Sequence, residues 1–237
     1  TESLKFRSTE PLYFKPGTDW VYSNYGFQLI GAIIENKTGQ SFPDSIDNFI
    51  KNTLKLSDGT RIERLDTMTN HLRPRYYRAN GTNILETIPV GVFDDALFST
   101  GIWAAGGLLS TVDDLLAYGN LLIDSYHERP NAILKNATLA QVWTRRSQNA
   151  PHFPLRPTTE YGYGWFIAHI PESVNPNIQH RDFNWHSGDL FGATTILIIY
   201  PKEEIVAVAM VNKGAIKGLD VLCIDAAELM YDFVPKN

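Results

Sequence analysis

The chain has 237 residues, a formal net charge of −5, and a composition that is 43% hydrophobic and 12% aromatic. These proportions allow a sizeable buried core, lack the basic balance typical of nucleic-acid-binding proteins, and include no apolar run of the roughly 18 residues that span a membrane. Cys223 is the only cysteine, which excludes an internal disulfide and a cysteine-based metal site. We expect this thiol to pack as a small hydrophobe.

The first third of the chain predicts two helices. The first follows Asn24 and ends at Gly39, because apolar residues recur between them at helical spacing. The second begins at Ser41, with Asp44 as its capping partner. The predicted buried stripes are Phe27, Ile30, Gly31 and Ile34 in the first helix, and Phe42, Ile46, Phe49 and Ile50 in the second.

The middle of the chain predicts irregular structure followed by more helix. Residues 58–99 contain scattered prolines and glycines and are interpreted as short strands and loops. A third helix begins at Thr111, again with an acidic residue three positions on, and extends to about Tyr126. A short helix over 137–146 and a proline-rich loop follow.

The last third of the chain predicts a sheet and a closing helix. Residues 165–170, 194–200 and 205–211 are interpreted as strands of an antiparallel meander, and 219–233 as a helix that covers one face of it. The predicted fold class is therefore α+β, an antiparallel sheet flanked by helices with a helical region beside it.

A tyrosine and an asparagine lie two residues apart just before the first predicted helix, in Tyr22-Ser23-Asn24. Both side chains could point into one cleft. A tyrosine hydroxyl titrates near ~10 and needs nearby positive charge to act as a base, whereas an asparagine amide can donate to a substrate carbonyl and accept from a cation. The alternative interpretation is a helix cap beside a packed tyrosine.

A second candidate motif, His186-Ser187-Gly188, is predicted where the second strand of the meander begins. Gly188 would let a ligand approach the strand edge closely, and the amide of Asp189 could then donate to a carbonyl oxygen as an oxyanion donor does. His186 could supply positive charge or a hydrogen bond. The alternative interpretation is a turn before a strand.

The remaining histidines show no metal-ligand spacing, so no metal site is predicted. Three glycosylation sequons, beginning at Asn36, Asn80 and Asn136, are close to the chance number of about two, and they favour secretion only weakly.

In this order, the two motifs resemble the serine β-lactamase, penicillin-binding protein and esterase superfamily, which uses Ser-x-x-Lys, then Tyr-x-Asn, then Lys/His-Ser/Thr-Gly. The block at residues 14–39 is similar to the class C type of that superfamily, and residues 103–116 are similar to another block of the superfamily. The glycine pair Gly106-Gly107 and the histidine of the third motif are most similar to the animal mitochondrial β-lactamase-like serine proteases. The resemblance covers most of residues 14–233.

The chain departs from the superfamily pattern in one respect: no lysine follows a serine by three residues. We therefore expect residues 1–237 to be the C-terminal portion of one catalytic domain. Its partner would be an N-terminal fragment of the same precursor that carries Ser-x-x-Lys; a homo-oligomer is a further possibility.

The resemblance implies a serine hydrolase that cleaves amide, peptide or ester bonds through an acyl-enzyme. It implies no metal and no organic cofactor. It implies that Tyr22 moves protons, Asn24 holds the substrate and the motif lysine, His186 tunes charge, and the Asp189 amide forms half of an oxyanion hole, with Ser187 and Gly188 in contact with substrate. Peptidase and esterase stay open, a true β-lactamase is less favoured, and a non-catalytic binding or assembly protein is the alternative. The resemblance points to mitochondria, the sequons to secretion.

Overall fold

The computed structural model describes residues 11–62, 74–79, 85–87, 103–146, 159–168, 181–190, 192–231 and 233. The helices are α1 (Asn24–Thr38), α2 (Phe42–Asn48), α3 (Trp103–Gly106), α4 (Val112–Tyr126), α5 (Asn136–Val142) and α6 (Leu219–Tyr231). The strands are β1 (Arg61–Ile62), β2 (Tyr77–Ala79), β3 (Leu85–Thr87), β4 (Leu108–Leu109), β5 (Thr159–Tyr161), β6 (Phe166–Ala168), β7 (Phe183–Leu190), β8 (Ala193–Tyr200) and β9 (Ile205–Val211). Helices and an antiparallel sheet together confirm the predicted α+β class.

Local capping fixes both ends of α1. Ser23 is the N-cap, and its hydroxyl accepts a hydrogen bond from the Gly26 amide at 3.2 Å. Gly39 ends the helix with a left-handed φ of 68°, and its amide donates to the Glu35 carbonyl. The predicted helix is confirmed, with Asn24 as its first residue.

The buried stripe predicted for α1 is only partly right. Gly31 is buried so closely against Ala104 that an added Cβ would lie 2.7 Å from the alanine Cβ. Ile30, by contrast, is 50% exposed, and Leu29 and Ile33 are exposed beside it. In the described part of the chain, this helix therefore packs through its small residue and leaves larger apolar side chains in solvent.

The second helix begins as predicted but ends early. Ser41 caps α2 by accepting from the Asp44 amide. The backbone then widens into a π-helical segment, Phe49–Leu54. The expected burial of Phe49 is wrong, since its side chain is 45% exposed, whereas the next residue, Ile50, is buried as predicted.

The third predicted helix is confirmed as α4. Thr111 caps it by accepting from the Asp114 amide at 3.1 Å. Gly119 allows this helix to approach β9 closely, because an added Cβ would lie 2.5 Å from a methyl group of Val206. The following helix, α5, is shorter than predicted: it spans Asn136–Val142 instead of 137–146.

The sheet has five antiparallel strands in the order β5-β6-β7-β8-β9. The prediction of a three-stranded meander is therefore incomplete. The motif His186-Ser187-Gly188 lies inside β7, a long strand that was not predicted, and not in a turn before a strand. The two small sheets pair β1 with β4 and β2 with β3.

Both faces of the sheet are covered, which explains the continuous apolar run of β8. On one face, Ile196 and Ile198 pack in a core cluster with Cys223 and Ala227 of α6. On the other face, the alternating residues Leu197 and Ile199 pack in a second cluster with residues of α4 and α5, namely Leu122, Ile123 and Leu139. Cys223 is buried, as predicted.

The terminal helix α6 is apolar on two sides. One side packs on the sheet, whereas Leu222, Leu229 and Met230 are exposed on its outer side. None of the helices in the described ranges has the length and apolar character that crossing a membrane requires. The proline-rich loop, most of 58–99, and the sequon at Asn80 lie outside the described residues.

Candidate active site

The last residues of β7 leave the buried core, and one edge of the strand is not paired with β6 there. Residues 183–185 are buried and pair with β6, whereas Gly188 and Asp189 are exposed. The β5–β6 hairpin turns at residues 162–165, where the Gly162 amide donates to the Trp165 carbonyl and Gly164 has a φ of 78°. Beyond this turn, β6 no longer runs beside β7, so residues 186–190 lack a β6 partner among the described residues.

The first motif packs against this open end of the sheet. The ring centroid of Tyr22 lies 5.9 Å from that of Tyr161 and 6.2 Å from that of His186. The centroids of Tyr161 and His186 are also 6.2 Å apart, so the three rings form a nearly equilateral triangle. Phe166 packs at the side of this triangle. The structure thus brings the two predicted motifs together through their aromatic residues.

Both nitrogens of the His186 ring have a partner. Nδ1 lies 2.8 Å from the carbonyl oxygen of Ser187, and Nε2 lies 3.3 Å from the hydroxyl oxygen of Tyr161. Since a carbonyl oxygen only accepts hydrogen bonds, the proton of the neutral ring must be on Nδ1. Nε2 is then the acceptor, and the Tyr161 hydroxyl is its donor.

The environment keeps all three groups uncharged near neutral pH. Burial lowers the pKa of His186, although the hydrogen bond to the Ser187 carbonyl opposes that shift. Burial raises the pKa of Tyr22. Burial, and then the neighbouring Tyr22, raise the pKa of Tyr161 well above its ordinary value. Of the two roles expected for His186, hydrogen bonding fits this geometry better than positive charge.

Asn24 does not join the ring triangle in this structure. It is exposed in the first turn of α1, and its position follows from the cap that Ser23 provides. The residue that caps the helix is therefore Ser23, which lies between the two predicted site residues. Tyr22 is turned towards the sheet.

Gly188 and Asp189 also have structural roles. An added Cβ at Gly188 would lie 2.7 Å from the hydroxyl oxygen of Thr195 on β8, so a larger residue here would force the Thr195 side chain to shift. The Asp189 carboxylate accepts from the Ala215 amide at 3.1 Å and holds the segment after β9 against the end of β7. Ser187 contributes its carbonyl oxygen to the His186 contact.

Tyr161 is a site residue that the sequence analysis missed. Its signal was the run from Tyr161 to Trp165, in which two glycines alternate with aromatic residues. Gly162 leaves no room for a Cβ, which would lie 2.3 Å from the Val142 carbonyl oxygen, and Gly164 is left-handed. Such a pattern indicates a tight hairpin, which sets Tyr161 at the strand end that faces His186.

Across the described residues, no group of three or more histidine, cysteine, aspartate or glutamate side chains could hold a metal ion. The site geometry therefore consists of two tyrosines, one neutral histidine and an exposed strand edge. Such a set can exchange protons and donate hydrogen bonds to a bound carbonyl compound.

The chain is similar to several known proteins. The family model described as Beta-lactamase matches residues 1–226. The chain is 29% identical, over 234 residues, to the serine beta-lactamase-like protein LACTB, mitochondrial, of Bos taurus, covering 94% of this chain and 40% of that protein. It is 25% identical, over 232 residues, to a D-aminopeptidase of Gluconobacter oxydans (strain 621H), covering 97% of this chain and 38% of that enzyme.

Among solved structures, the octameric penicillin-binding protein homologue from Pyrococcus abyssi superimposes with a TM-score of 0.75 at 24% identity, covering 98% of this chain and 47% of that one. At this identity the likeness supports the fold alone. The chain spans about two-fifths of the length of the curated relatives described above.

Proposed function

Because this chain belongs to the beta-lactamase family of serine hydrolases, we propose that it forms the C-terminal portion of a catalytic domain that cleaves amide, peptide or ester bonds through an acyl-enzyme. The nucleophilic serine and its lysine would come from a Ser-x-x-Lys motif outside these 237 residues, on an N-terminal fragment of the same precursor. The observation that supports this proposal is that Tyr22 and His186 come together at the exposed end of β7.

The proposed roles follow from position. Tyr22, half-buried beside the open edge, moves protons to and from the nucleophile and the leaving group. The Asp189 amide donates to the carbonyl oxygen as it becomes an oxyanion, while Ser187 and Gly188 line the bound substrate. Asn24, exposed at the start of α1, is free to turn its amide towards the substrate and the lysine.

Tyr22 could act as a base only beside a cation that the described residues do not supply. Burial raises the pKa of its hydroxyl, and this is the only cause of the shift in the described part of the chain. A phenolate at neutral pH requires a cation within a few ångströms. The lysine of Ser-x-x-Lys is the cation that this mechanism supplies.

In the proposed reaction, the serine oxygen attacks the substrate carbonyl while its proton passes to the lysine–Tyr22 pair. The tetrahedral oxyanion accepts from the Asp189 amide. Collapse breaks the bond to the amine or alcohol, which leaves with a proton returned by Tyr22. Water then attacks the acyl-enzyme by the same path, giving a carboxylic acid and free serine.

Substrate, compartment and assembly are proposed by similarity. The named relatives include a D-aminopeptidase and mitochondrial proteins, which favour a peptide or amide substrate and a mitochondrial location. A homo-oligomer of this chain is proposed as well; the protein from Pyrococcus abyssi that shares its fold is octameric.

The test uses the full-length protein. It is incubated with activated esters and with peptide amides of both chiralities, the reaction is quenched early, and the protein is digested for mass spectrometry. We expect turnover of at least one substrate class and an acyl adduct on the serine of a Ser-x-x-Lys motif. Absence of both turnover and adduct across the panel would reject the hydrolase.

The second candidate is a non-catalytic binding or assembly protein with the same fold. The observation that favours it is the absence of Ser-x-x-Lys from these 237 residues. The full-length sequence can distinguish the two candidates. If Ser-x-x-Lys is absent from it, the acyl-enzyme mechanism has no nucleophile.

A further inference from the structure

The hydrogen bonds around His186 form a chain that runs from the core to the exposed strand edge. Tyr161 is only 4% exposed and packs edge-on against the fully buried Phe166, with ring centroids 4.7 Å apart. Trp20 covers its other side at 5.1 Å. The Tyr161 hydroxyl is therefore held by rigid neighbours, and it is the group that meets Nε2 of His186.

From His186 the chain continues to the backbone of β7. Nδ1–H donates to the carbonyl oxygen of Ser187, at 2.8 Å, and thereby fixes the peptide between Ser187 and Gly188. That peptide leads directly to Asp189, whose amide is the proposed oxyanion donor. Rotation of the imidazole would release this carbonyl, so the ring orientation is coupled to the geometry of the strand edge.

We propose that Tyr161 is a positioning residue: its hydroxyl donates to Nε2 of His186 and holds the ring as the neutral tautomer protonated on Nδ1, so that the Ser187 carbonyl stays anchored. As a contribution to catalysis, this role rests on the hydrolase function proposed above. Tyr161 acts through His186 and does not touch the substrate.

The alternative protonation states fit the contacts less well. A ring protonated only on Nε2 would place the bare lone pair of Nδ1 against the Ser187 carbonyl oxygen at 2.8 Å, which is repulsive. A doubly protonated ring would carry charge in a site where burial favours the neutral form. In the described ranges, the titratable groups that contact this ring are Tyr161 on β5 and Tyr22 before α1, while β6 presents Phe166 and β8 places Leu197 opposite in register.

The experiment compares the full-length protein with Tyr161→Phe and with Tyr163→Phe as the matched control. Tyr163 belongs to the same hairpin turn but is 60% exposed, with the Arg146 guanidinium over its ring. The first readout is an NMR titration of ¹⁵N-labelled histidine, which reports the tautomer and pKa of His186 independently of any substrate. The second is the pH profile of kcat/KM.

We expect the unmodified His186 ring to be protonated on Nδ1. Tyr161→Phe removes a donor to the neutral ring, so the pKa of His186 should rise by about half to one pH unit. kcat should fall about 10–100-fold, the range typical when a partner that orients a functional histidine is lost, and the acidic limb of the profile should move upward with the titration. Tyr163→Phe should change neither.

A proton on Nε2 in the unmodified protein would overturn the proposal without any variant, and so would an unchanged His186 titration in a folded Tyr161→Phe protein. A shifted titration with unaltered kcat and pH profile would overturn the catalytic part. If the unmodified protein hydrolyses nothing, the hydrolase function fails separately, because the titration still decides whether Tyr161 holds His186.

Discussion

Ser57 and Asp114 are 57 residues apart in the chain, and two hydrogen bonds join them. The Ser57 amide donates to one carboxylate oxygen of Asp114 at 3.0 Å, and the Ser57 hydroxyl donates to the other at 2.7 Å. Thr60 adds a third bond at 2.7 Å. The buried carboxylate therefore ties the start of α4 to the segment that follows the π-helical turn.

Asp114→Ala should lower the free energy of unfolding by about 2–4 kcal/mol, because it leaves several donors without an acceptor. Asp113→Ala is the control, since that neighbouring aspartate is exposed in the same first turn and should cost only about 0.3–1 kcal/mol. Denaturant unfolding of the full-length protein measures both. Equal losses in the two variants would contradict the role given to Asp114.

The contribution of Asp114 should also depend on pH. Burial by itself would raise the pKa of this carboxyl, but hydrogen bonds from Ser57, Thr60 and Thr111 outweigh it, and the net pKa is lowered. Because the pKa of Asp114 is lower in the folded than in the unfolded protein, its carboxylate stabilises the fold fully above the unfolded pKa of about 3.9. This stabilisation is lost as pH falls through the pKa of the folded protein. We therefore expect the difference in unfolding free energy between the unmodified protein and Asp114→Asn to be constant from pH 7 to about 5 and to shrink below about pH 4. A difference that grows on acidification would reverse this assignment.

Tyr22→Phe in the full-length protein should reduce kcat by roughly 10²–10⁴-fold, the range for a lost acid–base group. The ring contacts with Tyr161 and His186 remain, so stability should change by less than about 1.5 kcal/mol. Turnover of an ester and the melting temperature are measured together. Tyr13→Phe, at a tyrosine that is 84% exposed, is the control. Normal turnover and a normal melt in Tyr22→Phe would remove Tyr22 from the mechanism.

Replacing His186 should show whether activity depends on the hydrogen bonds of its ring or only on its volume. Both ring nitrogens have partners and burial keeps the ring neutral, so a neutral side chain with a donor and an acceptor can partly replace it. We expect His186→Ala to lower kcat/KM by about 10²-fold or more, and His186→Gln to lose distinctly less. Equally small effects of both changes would mean that the histidine only fills space at this strand.

The outer side of α6 predicts self-association of the isolated 237-residue chain. Leu222, Leu229 and Phe233 are 63%, 67% and 80% exposed, and such a stripe is typical of a covered surface. Sedimentation velocity should show species larger than a monomer, and Leu222→Lys with Leu229→Lys should reduce them. A matched pair of lysines at Ala117 and Asn120, which are exposed on α4, should not. A monomeric chain with a sharp melt would contradict the prediction.

Local chemistry was sufficient for much of the fold. Ser41 and Thr111 cap their helices as expected, and β9 spans the predicted residues, because a cap or an apolar strand is specified by a few neighbouring residues. The sequence order of the Tyr-x-Asn and His-Ser-Gly motifs likewise indicated the family that the comparisons support. These features need no partner that is distant in the chain.

The errors fall where distant residues decide the outcome. β7 was not predicted as a strand because its second half is polar; it is a strand because β8 pairs with it along its length. Phe49 was assigned to a buried stripe but is exposed, because no distant element of the described residues covers it as one covers Ile50.

The sequence alone thus determined the helix caps, the class of fold and the two motifs, since each depends on short-range spacing and hydrogen bonding. Only the tertiary structure decided that Tyr161 completes the set of rings around His186. That choice depends on the register that pairs β5 and β6 with β7, and a pairing between strands is fixed by the packing of the whole sheet.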